Sequence, residues 1–239
     1  MKKIAIISNI SSHFDYHIIA HILEIYNYNC KLYIYHDLDD VSNSVVYRYL
    51  SYLEENISFH CVRTLSQSID IIMLDYIKIN FDYTIYLYHM HKTMNDNMNI
   101  WYDYCIQSFY NICKIINQYQ NICKKSHKFI YFSNDLESYS SLNFKRDICN
   151  ELYINAYHIQ YQYEVIYEND YYQRQFDITK CKNRIKDLID LFYRGEKYYF
   201  ENDKFLDITL FTDIMKSLEN IINKINSNDP PCSEIMNHC

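Results

Sequence analysis

Apolar residues in this chain recur in two rhythms that alternate along its first half. Short, nearly continuous apolar runs, Lys3–Ser8, Leu32–Tyr35, Ser58–Val62, Tyr83–Tyr88 and Lys128–Phe132, read as buried strands. Between them, apolar positions spaced three and four apart predict helices over Asp15–Tyr26, Val45–Leu53, Ser66–Ile79 and Trp101–Lys124. Strands separated by helical patterns of this kind build βαβ units, and βαβ units build a parallel sheet with helices on its faces. The fold class expected is therefore α/β, Rossmann-like, with a mostly parallel sheet flanked by helices and a helical C-terminal portion.

Beyond Phe132 the pattern loosens. Ser133–Ser141 reads as a polar loop and Leu142–Leu152 as a helix. Over Tyr157–Tyr167, His158, Gln160 and Gln162 alternate with Ile159, Tyr161 and Tyr163, the period of an extended edge strand. Two further helices are expected over Ile178–Tyr193 and Phe205–Ile225, the first closed by Gly195. A single domain over residues 1–225 is expected, with a core over 1–132, a mainly helical portion over 133–225 and a frayed tail over 226–239.

Composition sharpens this picture in one respect. Among 239 residues there are 28 tyrosines but one glycine, Gly195, and two prolines, Pro230 and Pro231. Residues with GC-rich codons are depleted together, so an AT-rich coding background explains the bias more simply than a selected tyrosine surface. The chemical consequence is independent of the cause. A G-x-G-x-x-G dinucleotide loop or a P-loop needs clustered glycines, so neither is present and no cofactor is expected.

Charge and cysteine usage remove further classes. A net charge of −7 argues against nonspecific binding to nucleic acid, and the basic stretch Lys180, Lys182, Arg184 and Lys186 reads as a solvated helix face. Nine dispersed cysteines without a C-x-x-C pair or a secretory signal read as reduced thiols in a cytoplasmic protein. No apolar stretch approaches the roughly 20 residues that cross a bilayer, so no membrane span is expected.

The candidate chemistry gathers where strands end. His13, His17 and His21 recur every four residues, which stacks them on one helix face. His36 and Asp37 follow the second strand, and His89 and His91 follow the strand at Tyr83–Tyr88. In a parallel sheet these positions meet at the C-terminal edge, where open α/β folds bind ligands. Imidazoles there could act as general bases or contact a ligand. Ten histidines in the chain also place several near any sheet edge by chance. No H-E-x-x-H is present and no cysteine lies at zinc-ligand spacing, so no metal site is expected.

The opening Lys2–Asn9, the helix His17–Leu23 and the strand Cys30–Tyr35 resemble the first βαβ unit of GT-B-fold glycosyltransferases. The resemblance covers about the first 36 residues. It implies a reduced or half glycosyltransferase-like protein that binds a sugar or nucleotide-sugar. His13 and His17 would be base or ligand contacts, with Asn9, Ser11, Ser12, His36, Asp37, His89 and His91 around the substrate. Two features depart from the family: the loop after the first strand is Ile10-Ser11-Ser12-His13-Phe14, without glycine, and no second Rossmann repeat follows. Asp37-Leu38-Asp39-Asp40 resembles the D-x-D metal motif of GT-A glycosyltransferases, and equally reads as a helix-capping loop. The alternative to an enzyme is a noncatalytic protein that kept the scaffold and binds a protein partner.

Overall fold

A computed structural model describes residues 1–8, 10, 13–38, 41–62, 69–87, 98–134, 139–161, 208–227 and 235–237. Seven strands form one sheet: β1 (Lys2–Ile7), β2 (Cys30–His36), β3 (Ile57–Cys61), β4 (Tyr83–Tyr86), β5 (Lys128–Asn134), β6 (Asn155–Tyr161) and β7 (Ile235–Asn237). Every neighbouring pair is parallel, in the order β3-β2-β1-β4-β5-β6-β7. Six helices accompany them among the described residues: α1 (His13–Ile25), α2 (Val45–Leu50), α3 (Ile69–Ile79), α4 (Met98–Cys123), α5 (Tyr139–Glu151) and α6 (Ile208–Ser227).

A parallel strand buried on both faces carries apolar residues continuously rather than alternately. β1 shows why: Ile4 and Ile6 face one core with α1, α2 and α6, while Ala5 and Ile7 face a second core with α3 and α4. The first core is closed by aliphatic side chains such as Ile18, Ile22, Leu218 and Ile222. The second is aromatic, with Tyr76, Phe81, Phe109, Tyr119 and Phe129 meeting mostly edge to face. Fully buried tyrosines need partners for their hydroxyls. Tyr76 and Thr84 share a 2.5 Å hydrogen bond, and Thr84 lies 2.8 Å from His127 Nε2.

The scarcity of glycine leaves a mark at helix ends. A helix commonly stops on a residue in the left-handed region, a place glycine fills without steric cost. Here Asn27 and Tyr28 follow α1, Asn80 follows α3, Lys124 follows α4 and Tyr153 follows α5, all with φ between 47° and 58°. The caps still form their hydrogen bonds, as Tyr28 N–H to Leu23 O at 2.8 Å and Ile154 N–H to Cys149 O at 2.8 Å.

Three expectations need correcting. β6 is not an edge strand: it pairs with β5 on one side and β7 on the other. Its polar positions look outward in sequence, but His158, half-buried, meets a polar partner on β5. The polar loop expected from Ser133 is shorter, because β5 continues to Asn134 and α5 begins at Tyr139. The segment expected to fray contributes β7, paired in register through Ile159↔Met236. The helix expected over Ile178–Tyr193, with Gly195 at its end, lies outside the described residues.

Candidate functional site

The order in which strands are added reverses between β1 and β4. Connections from β1 run towards β2 and those from β4 towards β5, so the C-terminal ends of β1 and β4 flank a crevice, the ligand position in open α/β folds. The rim of this crevice is tightly tied. Ser8 N–H donates to Tyr35 O at 3.1 Å, Leu87 N–H to Ile7 O at 2.8 Å, and Val62 N–H to His36 O at 2.7 Å.

After β1 the chain turns through Ile10, which is fully buried at φ 44°. A β-branched residue there is strained, since its Cβ crowds the following carbonyl. The turn is held by hydrogen bonds at both of its peptide groups: Ile10 N–H donates to Ser8 Oγ at 2.8 Å, and Ser44 Oγ donates to Ile10 O at 2.6 Å. Ser44 is also the N-cap of α2, accepting from Tyr47 N–H at 3.2 Å. One serine thus caps a helix and fastens the turn above β1.

Of the expected site residues, His17 is half-buried on α1 with its ring edge-on to Tyr16 at 5.1 Å. His21, one turn further, is buried with Nδ1 3.9 Å from Glu24 Oε2. His36 ends β2, buried and edge-on to Phe59, with Nδ1 lacking a hydrogen-bond partner. Burial lowers its pKa, against the opposing pull of Asp37. Asp37 is half-buried just beyond it. His13 opens α1 by its backbone. Asn9, Ser11, Ser12, His89 and His91 lie outside the described residues, as do Asp39 and Asp40. Among the described residues no three His, Cys, Asp or Glu side chains group to hold a metal.

A second cluster at the same edge was not read from the sequence. Ser133, near the end of β5, places Oγ 2.5 Å from Nε2 of His158 on β6. The His158 ring stacks on Tyr131 at 4.5 Å between centroids and 8° between planes, which fixes its orientation. Burial lowers the His158 pKa to about 4, with Lys145 adding to the shift, so the ring is neutral at neutral pH. Lys145 on α5 is itself buried, its Nζ 5.5 Å from the Phe109 ring centroid. Nearby, Tyr86 and Ser108 share a 2.6 Å hydrogen bond. The available signal was the polar alternation over residues 155–161, which marks a polar layer inside the fold as readily as a wet face.

No protein-family model matches the chain, and no curated protein matches it in sequence. Solved structures do resemble it. The UDP-Glc/GlcNAc 4-epimerase of Campylobacter jejuni aligns at TM-score 0.51 and 12% identity, over 67% of this chain and 53% of that one. A dTDP-glucose 4,6-dehydratase of Streptomyces venezuelae aligns at 0.48 and 7%, over 66% and 55%. A Burkholderia multivorans protein described as a short-chain alcohol dehydrogenase aligns at 0.49 and 10%, over 70% and 86%. The fold is Rossmann-like. The chain spans about half the length of the first two structures. Of the likeness of the first βαβ unit to glycosyltransferases, only the Rossmann-like fold is supported.

Proposed function

We propose that this chain binds a sugar or nucleotide-sugar at the C-terminal edge of its sheet, with Ser133 and His158 meeting a ligand hydroxyl. The observation that carries the reading is the 2.5 Å contact between Ser133 Oγ and His158 Nε2, beside the buried Lys145. A neutral imidazole with Nε2 unprotonated accepts the serine proton, leaving the Ser133 oxygen to accept a hydrogen bond from a ligand hydroxyl. His17, His36 and Asp37 lie on the β1–β2 side in this reading, which keeps His13 as base or ligand contact and Asn9, Ser11 and Ser12 as substrate contacts. His89 and His91, which follow β4 in sequence, are kept as substrate contacts. The 4-epimerase named above handles UDP-sugars by its description, which sets the first ligands to try.

A thermal-shift screen of the full chain with UDP-, GDP- and dTDP-sugars tests this. Ligand at 100 times its Kd adds about 2.7 kcal/mol of stability. For a chain of this size that raises Tm by roughly 5–10 °C. No shift with any of the three classes removes the reading.

A specific observation favours a second reading, a noncatalytic interaction protein. Ile71, Leu74 and Ile77 stand exposed along one side of α3. Light scattering of the wild type and of an I71S/L74S/I77S variant separates the two: self-association abolished by the variant supports interaction through this stripe.

A further inference from the structure

The fold implies a cofactor that its residues do not fit. In dinucleotide-binding Rossmann folds the pyrophosphate rests on the N-terminus of the first helix, and glycines in the preceding turn let backbone N–H groups approach it. Such a seat needs open space above the turn, free N–H donors and an uncompensated positive helix end. The described residues at this place are otherwise engaged. Ile10 fills the turn with a fully buried aliphatic side chain, and its N–H is already given to Ser8 Oγ. The Ile10 carbonyl is locked to Ser44, which pins the turn against α2 and opposes its rearrangement. Phe14, in the first turn of α1, is buried with its ring edge-on to Phe132 of β5 at 5.9 Å. Asp15, also in the first turn, is fully buried, so a carboxylate already occupies the electropositive end of the helix.

We infer that the α1 N-terminus is closed to a nicotinamide dinucleotide, with Asp15 taking the electrostatic place of a phosphate. The scaffold keeps the strand order 3-2-1-4-5-6 of dinucleotide-binding folds and adds a seventh strand, but its crevice takes ligands without that seat. This deepens the reading above by restricting the ligand class to one not held through a pyrophosphate on α1. It stands on different residues from Ser133 and His158.

The test is calorimetric titration of the full chain with NADH and with NADPH to 1 mM (a ceiling about tenfold above an ordinary 100 μM Kd), run beside UDP-glucose. No saturable binding of either dinucleotide is expected; saturable binding of either overturns the inference. The UDP-, GDP- and dTDP-sugars of the screen above distinguish the two claims: silence from all of them and from both dinucleotides removes the sugar-binding reading and leaves the closed seat standing. A second measurement addresses Asp15 directly. The D15N variant keeps the shape and loses the charge, so its Tm is expected to fall by roughly 2–4 °C, as for loss of a favourable helix-end charge. An unchanged or raised Tm overturns the role given to Asp15.

Discussion

The Nε2 atom of His158, at the middle of β6, lies 2.5 Å from the Oγ atom of Ser133, near the C-terminal end of the adjacent parallel strand β5. The pair is buried on the serine side, where Ser133 is 1% exposed. Removing one partner therefore leaves the other unsatisfied, at about 1–3 kcal/mol. Ser133→Ala and His158→Phe are each expected to destabilise by that amount. The phenylalanine keeps the stack on Tyr131, so the double variant should cost less than the two singles summed. A double-mutant cycle by urea unfolding measures the coupling, expected at about 0.5–3 kcal/mol; strict additivity would mean that the two groups do not act as a unit.

Acid should weaken this fold through two histidines. Burial holds His158 at about 4 and His127 at about 3, both below the unfolded value of about 6.5. Between those values the unfolded chain binds more protons, so stability rises with pH across the window. The contribution is complete above about pH 6.5 and is lost as pH falls towards 4 and then 3. At roughly 1.4 kcal/mol per unit, the two sites together cost several kcal/mol over that range. Urea unfolding at pH 7.5, 5.5 and 4.5 checks it, with an H127Q/H158Q variant expected to flatten the profile.

Tyr153 is a place where composition, not packing, chose the residue. It sits at φ 52° after α5 and is 88% exposed, so its side chain contributes little burial. Tyr153→Gly relieves about 1–2 kcal/mol of left-handed strain and costs about 0.5–1 kcal/mol of extra backbone entropy. A net gain of up to about 1 kcal/mol is expected, read as a higher midpoint in urea at unchanged slope.

Ile10 has the same backbone strain and the opposite outcome. Ile10→Gly relieves about 1–2 kcal/mol of strain. It also empties a fully buried position, a loss of about 2–5 kcal/mol for a core aliphatic side chain. Packing wins, and the variant is expected to lose about 1–3 kcal/mol. A stabilised Ile10→Gly chain would show that the turn is not a packed plug.

Much of the fold was legible in sequence because the parallel-sheet signal is strong where both faces are buried. Ile4-Ala5-Ile6-Ile7 and Tyr83–Tyr86 carry it directly, and α1 and α4 carry the helical period between strands. β6 reads as an edge strand for a physical reason: Asn155, His158 and Gln160 look solvated in sequence, and only the partner strand shows that His158 meets Ser133. Ser133 reads as loop in sequence because the C-terminal ends of parallel strands turn polar where ligands bind, and that polarity mimics a loop. The sequence of the turn after β1 lacks the glycines that a phosphate-cradling loop needs. The burial of Ile10 and Asp15 is visible only in three dimensions.

The most direct measurement of the central claim is calorimetric titration of the full chain and of Ser133→Ala with UDP-, GDP- and dTDP-sugars. Saturable binding of at least one by the wild type is expected. The serine variant should bind it at least about tenfold more weakly, the equivalent of 1.4 kcal/mol. Equal affinity in the two proteins, or no binding by the wild type, would contradict a sugar-binding edge built on Ser133 and His158.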